Sequence, residues 1–300
     1  MVSPNFIEFT TKDGLSLPGL LYRPISSKTA IIYLHGNGSA SVFYDEKEKR
    51  ILSEVFAKKN ISLLTFNNRG AHIIKKINVR NKNNDFERVK FGMAYEQIKD
   101  CILDIDGAIE FLKSEGFKKF YLMGLSTGAN KICVYNYYKK QNEISKNILL
   151  GGGDDVGIYF DLLGSRKFHS LLRKAKGKMK EDKGDQLIID LKLFPESIFS
   201  YKAFYDLANP DGDYNCFPYY EVINKLKLSK KPLFRYFKSI NKPTLVIYGE
   251  KDEYAWGDIR RVIEILKGYK SEFQYVTIEN ADHGFTGFKK ELAEVIVNWI

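Results

Sequence analysis

A serine hydroxyl is nearly inert near neutral pH, so chemistry at a serine needs a base within hydrogen-bond reach and a group that holds that base in the right tautomer. Three stretches offer those residue types: Tyr121-Leu-Met-Gly124-Leu-Ser126-Thr-Gly128-Ala, Tyr248-Gly-Glu-Lys-Asp252, and Glu279-Asn-Ala-Asp-His283-Gly-Phe. The first is a GxSxG sequence, in which the glycines relieve the crowding of a sharp turn that lifts the Ser126 hydroxyl clear. The amide of Thr127 then opens a helix, where a backbone donor and the helix dipole both favour a developing oxyanion. A second turn, His35-Gly36-Asn37-Gly38, follows an apolar run and aims a second amide, best assigned to Asn37, at the same oxyanion. A plain glycine turn is the bland alternative there. The chemistry implied is attack of Ser126 on an acyl carbonyl.

Four histidines compete for the role of base. His283 follows the last predicted strand and precedes the final helix, whereas His35 precedes the oxyanion turn, His72 follows a different strand and His169 lies in an irregular stretch. Asp252 follows the penultimate strand and completes the order Ser, Asp, His. Asp154 and Asp155, after the preceding strand, are its rivals as orienting acid, with Glu250 and Glu253 further behind. Asp282 adjoins the base and is badly placed to orient it.

The elements that must position these residues read as strands alternating with crossover helices around a mainly parallel sheet. Phe6 to Thr10 and Leu17 to Tyr22 form an opening antiparallel pair. Buried strands follow at Ala30 to Leu34, Ile61 to Phe66, Phe120 to Met123, Asn147 to Leu150, Pro243 to Tyr248 and Phe273 to Ile278. Helices are expected near Lys47 to Lys59, Gln97 to Ser114, Thr127 to Lys139, Ile259 to Lys267 and Phe288 to Trp299. The apolar spacing of the second of these puts Asp100, Asp104 and Asp106 toward solvent or its flank. From 151 to 239 the alternation breaks, and a stretch of that length is too long for a loop in a compact domain. The division expected is therefore a core of residues 1–150 and 240–300, with 151–239 as an inserted helical cap. Its aromatics, among them Tyr201, Phe204, Tyr219 and Tyr220, suggest pocket walls for a bulky or aromatic group. Arg166, Arg173 and Lys174 suggest an anionic substrate, against the plainer reading of a solvated face.

Composition bounds the rest. The chain has 300 residues, 44% hydrophobic and 28% charged, and a formal net charge of +10. The charge is spread through a sequence rich in Lys, Asn, Ile, Tyr and Phe and forms no recognisable nucleic-acid module, so no nucleic-acid partner is expected. Three cysteines without metal or CxxC spacing read as free buried thiols, and no metal site is expected. Neither a leader pattern at Met1 to Thr10 nor a run near the ~18 apolar residues of a membrane helix is present, so the expectation is a cytoplasmic protein without a membrane partner.

Taken together, His35-Gly-Asn-Gly, Gly124-Leu-Ser-Thr-Gly, the Asp252 loop and Ala281-Asp-His-Gly resemble the α/β-hydrolase superfamily over nearly the whole chain outside 151–239. Asn67-Asn-Arg-Gly70 and Tyr95-Glu-Gln-Ile-Lys-Asp100 are similar to carboxylesterase-like branches and, more loosely, to a branch that includes siderophore-ester hydrolases. The resemblance implies a doubly wound sheet of about eight strands, no cofactor, and an acyl-enzyme mechanism on a small-molecule acyl ester, with Ser126, Asp252 and His283 on the triad motifs. Acyl transfer to another acceptor, peptide or carbon–carbon cleavage, and a non-catalytic binding role remain as alternatives, because fold and triad do not fix the acceptor.

Overall fold

In the computed structural model, which describes residues 2–38, 41–81, 83, 85–189 and 198–300, the first strands form where β-branched and aromatic residues run together. They are β1 (Pro4–Thr10), β2 (Ser16–Tyr22), β3 (Thr29–Leu34), then helix α1 (Glu46–Ala57) and β4 (Ile61–Phe66). Every residue of β4, and all but the first of β3, is buried, which is the pattern of strands covered on both faces. A hairpin follows, β5 (Lys75–Arg80) and β6 (Phe86–Phe91), then a short 3₁₀ turn and α2 (Cys101–Ser114). Next come β7 (Lys119–Leu125), α3 (Thr127–Tyr138) and β8 (Ile144–Leu150).

Between β8 and the next sheet strand lie α4 (Asp155–Lys180), the two-residue strands β9 (Leu187–Ile188) and β10 (Phe199–Ser200), and the helices α5 (Tyr201–Ala208), α6 (Tyr219–Ile223) and α7 (Arg235–Lys238). Helix α4 breaks at Gly164, where φ of 68° and ψ of 155° leave the helical region. The part of the 151–239 reading that falls on 190–197 lies outside the described residues. The chain closes with β11 (Thr244–Gly249), α8 (Ile259–Tyr269), β12 (Gln274–Ile278) and α9 (Lys289–Trp299).

Eight strands form one sheet in the order β1-β2-β4-β3-β7-β8-β11-β12. β1 and β2 pair antiparallel, β2 meets β4 antiparallel, and every other pairing is parallel. The carboxyl ends of β3, β7, β8, β11 and β12 therefore share one edge. The chain runs from β3 to β4 on one side and returns to β7 on the other, so the order reverses between β3 and β7, where such sheets open a crevice. One apolar core packs α2, α3 and the 151–239 helices on one face, and a second packs α1 and α9 on the other.

Three expectations need correction. The hairpin β5–β6 was not expected: its strands are largely exposed and polar and lie outside the main sheet, and their apolar alternation is confined to Ile77 and Val79 in one and Val89 and Phe91 in the other. Asp104 does not face solvent. It is 1% exposed and receives the Arg69 amide and guanidinium at 3.0 and 2.9 Å, so the start of α2 packs on the loop after β4 through an ion pair. The aromatics Tyr201, Phe204 and Tyr219 are buried in the core rather than lining a pocket, because α5 packs against α4, with Phe204 against Tyr159 and Phe199, and Tyr219 of α6 reaches Tyr248 of β11.

Candidate active site

Ser126 sits between the last residue of β7 and the first of α3 with φ of 57° and ψ of −125°, a conformation non-glycine residues rarely adopt. Its glycine neighbours make the turn possible. A β-carbon on Gly124 would lie 2.3 Å from the Gly128 backbone, and one on Gly128 would lie 2.1 Å from the Leu34 carbonyl oxygen. The spacing seen in the sequence is thus a packing requirement of β7, α3 and β3 together.

The loop after β3 closes over the same serine. A β-carbon on Gly36 would stand 3.0 Å from Ser126 Cβ and 3.5 Å from its hydroxyl oxygen, so Gly36 carries the chain past the nucleophile at backbone distance. His35 beneath it is buried. Its Nε2 accepts the Asn68 amide at 3.2 Å, which leaves Nδ1 as the protonated nitrogen, donating to the Gly36 carbonyl at 2.8 Å. Burial, with Lys131 adding to it, pushes the His35 imidazole well below its ordinary range, so the ring is neutral and acts as a strut for the loop. Asn37 turns its side-chain oxygen onto the Gly38 amide at 3.0 Å and lines the cavity with Thr127. The Thr127 amide is the first of α3, where no intrahelical acceptor exists.

His283 and Asp252 meet from the loops after β12 and β11. Nδ1 of His283 lies 2.9 and 3.0 Å from the two Asp252 carboxylate oxygens, and the Asp252 side chain is 1% exposed. The Tyr254 amide donates to Asp252 at 2.9 Å, and the Tyr254 ring stands edge-on to the imidazole at 4.7 Å. Nδ1 is thereby committed, and Nε2 is the nitrogen left to the cavity that His283 lines with Ser126. Among the described residues no hydrogen bond joins the Ser126 hydroxyl to the ring; such links are commonly long before substrate binds. Gly151, with φ of 51°, gives the pair its room: a β-carbon there would lie 3.0 Å from Asp252 and 3.1 Å from the imidazole.

The cavity holds about 510 Å³ and brings together Ser126, Thr127, Asn37 and His283, with Asp252 behind the ring. The other acids are used elsewhere. Asp154 caps α4 through the Gly157 amide, Asp282 accepts the Thr286 amide, Glu250 the Asn280 amide and Glu253 the His283 amide. His169 is exposed beside Ser165, and Arg166, Arg173 and Lys174 are exposed on α4 without lining the cavity. The walls come instead from Ile73, Met93, Ile158, Tyr159 and Tyr254. Sequence reasoning passed over Asn130, one helical turn beyond Ser126. Its amide grips the Gly153 peptide from both sides, at 2.9 and 3.2 Å, and donates to Asp155 at 3.2 Å. The only signal available was its i+4 spacing from the serine.

A family model described as a protein of unknown function, DUF1749, matches residues 92–297. No curated protein matches the sequence. Solved structures do. The esterase Pf2001 of Pyrococcus furiosus is similar at 18% identity and a TM-score of 0.56, over 99% of this chain and 91% of that one. Est1E of Butyrivibrio proteoclasticus, solved with ferulic acid bound, gives 14% identity and 0.62 over 97% and 96%. GrgF of Penicillium sp. sh18, an α/β-hydrolase, gives 14% identity and 0.62 over 99% and 96%. At these identities the likeness is one of fold.

Proposed function

The chain belongs to the DUF1749 family and has the α/β-hydrolase fold, and on that footing we propose that it is a serine hydrolase cleaving a carboxylic ester. Ser126 Oγ attacks the ester carbonyl while His283 Nε2 takes its proton. The C–O bond then breaks, the ring returns the proton to the leaving alcohol, and an acyl-enzyme remains. Water, activated by the same ring, adds to that ester, and its collapse releases the acid and restores Ser126. Asp252 keeps the proton on Nδ1 and stabilises the imidazolium formed in each half-reaction. The Thr127 and Asn37 amides receive the oxyanion, an arrangement worth about 3 to 4 kcal/mol for each donor.

The observation that carries this reading is the Asp252–His283 pair at 2.9 Å bordering the cavity into which the strained Ser126 turn opens. The esterases among the similar structures support an ester over an amide. In this reading residues 151–239 act as a cap on the core of 1–150 and 240–300, and the wall formed by Ile158 and Tyr159 at the start of α4 supports it.

The test is hydrolysis of short acyl p-nitrophenyl esters together with labelling by a fluorophosphonate. Ser126→Ala is expected to lose about 10⁴-fold or more in kcat and all labelling. Equal rates and undiminished labelling would remove Ser126 from the reaction.

A further inference from the structure

The lining of the site runs against the charge of the chain. The protein carries a formal +10, yet among the described residues no lysine or arginine lines the cavity beside Ser126, whose acidic and imidazole groups are Asp155 and His283. An adjoining apolar hollow of about 280 Å³ shares Ile158 and Tyr254 with it and adds two more carboxylates, Asp161 and Glu253.

Asp155 lies in the first turn of α4, where the helix terminus favours a carboxylate, and it also lines the cavity. The α4 cap is supplied by Asp154, which accepts the Gly157 and Tyr220 amides at 2.8 and 2.6 Å. Among the described residues no cation forms an ion pair with Asp155, and the nearby Lys131 is already held by Glu96 at 2.5 Å. Among the described residues its side-chain partner is Asn130, a neutral amide that holds the carboxylate in place. A β-carbon on Gly153 would be 3.9 Å from Asp155 and 3.9 Å from the Ser126 hydroxyl, so carboxylate and nucleophile flank the same glycine. Asp155 is half-buried at the cavity wall, and a carboxylate partly withdrawn from water without a cation attracts one brought by a ligand.

We propose that Asp155 is a specificity-determining residue that seats the protonated amine of a cationic ester, whose apolar remainder lies along Ile158 and Tyr254 toward Leu162 and Trp256. The inference rests on the serine-hydrolase reading and names its substrate class. His283 is not the missing cation, since its Nδ1 is held by Asp252 and its Nε2 serves as the base. Burial, with His283, Glu96, Lys131 and Asp154 as the charged groups around it, sets the Asp155 carboxyl at about 6, so it is ionised at neutral pH and above.

The experiment compares kcat/KM for matched esters: p-nitrophenyl aminoalkanoates against alkanoates with methyl in place of ammonium, and acetate esters of amino alcohols against their uncharged isosteres. Wild type is expected to favour the cationic member on one side of the ester by about tenfold to a hundredfold. That preference declines as pH falls through about 6 and vanishes in Asp155→Asn, whose fluorophosphonate labelling reports an intact site. No preference on either side in wild type overturns the proposal, as does an equal loss on charged and neutral esters in Asp155→Asn, which would make Asp155 an electrostatic partner of His283 only. Should that variant not fold, the wild-type ratio and its pH dependence decide alone. Failure of the underlying reading looks different: an unlabelled Ser126 and an active Ser126→Ala.

Discussion

Asp252 reaches His283 with both carboxylate oxygens at about equal distance, 2.9 and 3.0 Å, and its side chain is almost wholly withdrawn from water. Its action on a hydrolytic rate is therefore electrostatic and tautomeric rather than steric. Asp252→Asn keeps the volume but offers the ring a group that can donate, which favours the wrong tautomer; kcat should fall by about 10³- to 10⁴-fold with KM little changed. Stopped-time assays of kcat and KM check it, and an unaltered kcat would hand the role to another acid. Residues of this kind were legible in the sequence because each lies just past a strand, where a loop has little choice of direction. Asp155 was legible only as a rival acid past a strand and Asn130 not at all, because the contacts that place them, Asp155 with Asn130 and Asn130 with Gly153, span 25 and 23 residues and no local spacing records them.

The helix α2 meets the loop after β4 through charge instead of apolar packing. Arg69, with a side chain 4% exposed, bridges Asp104 at 2.7 Å and Asp13 at 3.1 Å, and so joins that loop, the β1–β2 turn and α2. Burial is outweighed by Asp104 and Asp13, and the guanidinium is held above its ordinary range. Removing one partner strands the others: Arg69→Ala should destabilise the fold by about 3–5 kcal/mol, whereas an apolar replacement of both Arg69 and Asp104 should recover part of the loss. Urea denaturation of the single and double variants measures this, and a single-variant loss under about 1 kcal/mol would contradict it. The same network shows why the sequence misled about Asp104. Helical spacing separates apolar from polar positions, but it does not tell a solvated carboxylate from one buried on an arginine that comes from another element. The β5–β6 hairpin failed for a related reason, since strands such as Phe86–Phe91 pair through backbone and present charged side chains to water, leaving an apolar period of only two residues, Val89 and Phe91, to read.

At the scale of the whole molecule, the sheet was the legible part. Buried parallel strands announce themselves as short apolar runs, and these and the antiparallel opening pair, eight strands in all, were visible in order. The face covered by 151–239 is where polar groups went into the interior unannounced. Burial raises the carboxyl groups of Asp154 to about 7, Asp155 to about 6 and Asp206 to about 7. A carboxyl raised in the folded state favours folding when protonated. Its contribution is full below the ordinary carboxyl range and is lost as pH climbs from about 4 through about 7. Asp13 acts in the opposite sense, since burial there is outweighed by the Thr11 hydroxyl and Arg69, but it is a third exposed, with 33% of its side-chain surface open, and its effect is small. The lowered His35 and His72 also act in the opposite sense, adding stability as pH rises toward the ordinary imidazole range, so the raised set supplies one falling component of the profile, between about pH 4 and about pH 7. Asp206 isolates the effect, because it is remote from the Ser126 cavity and accepts the Ile98 amide at 2.7 Å, a bond that an asparagine oxygen can keep. Asp206→Asn should flatten the profile and, near pH 8, exceed wild type by roughly 1–2 kcal/mol in urea denaturation. Parallel profiles for the two proteins would mean that the Asp206 carboxyl is ionised in the folded state across the whole range, with solvent or a rearranged neighbour supplying what burial removes.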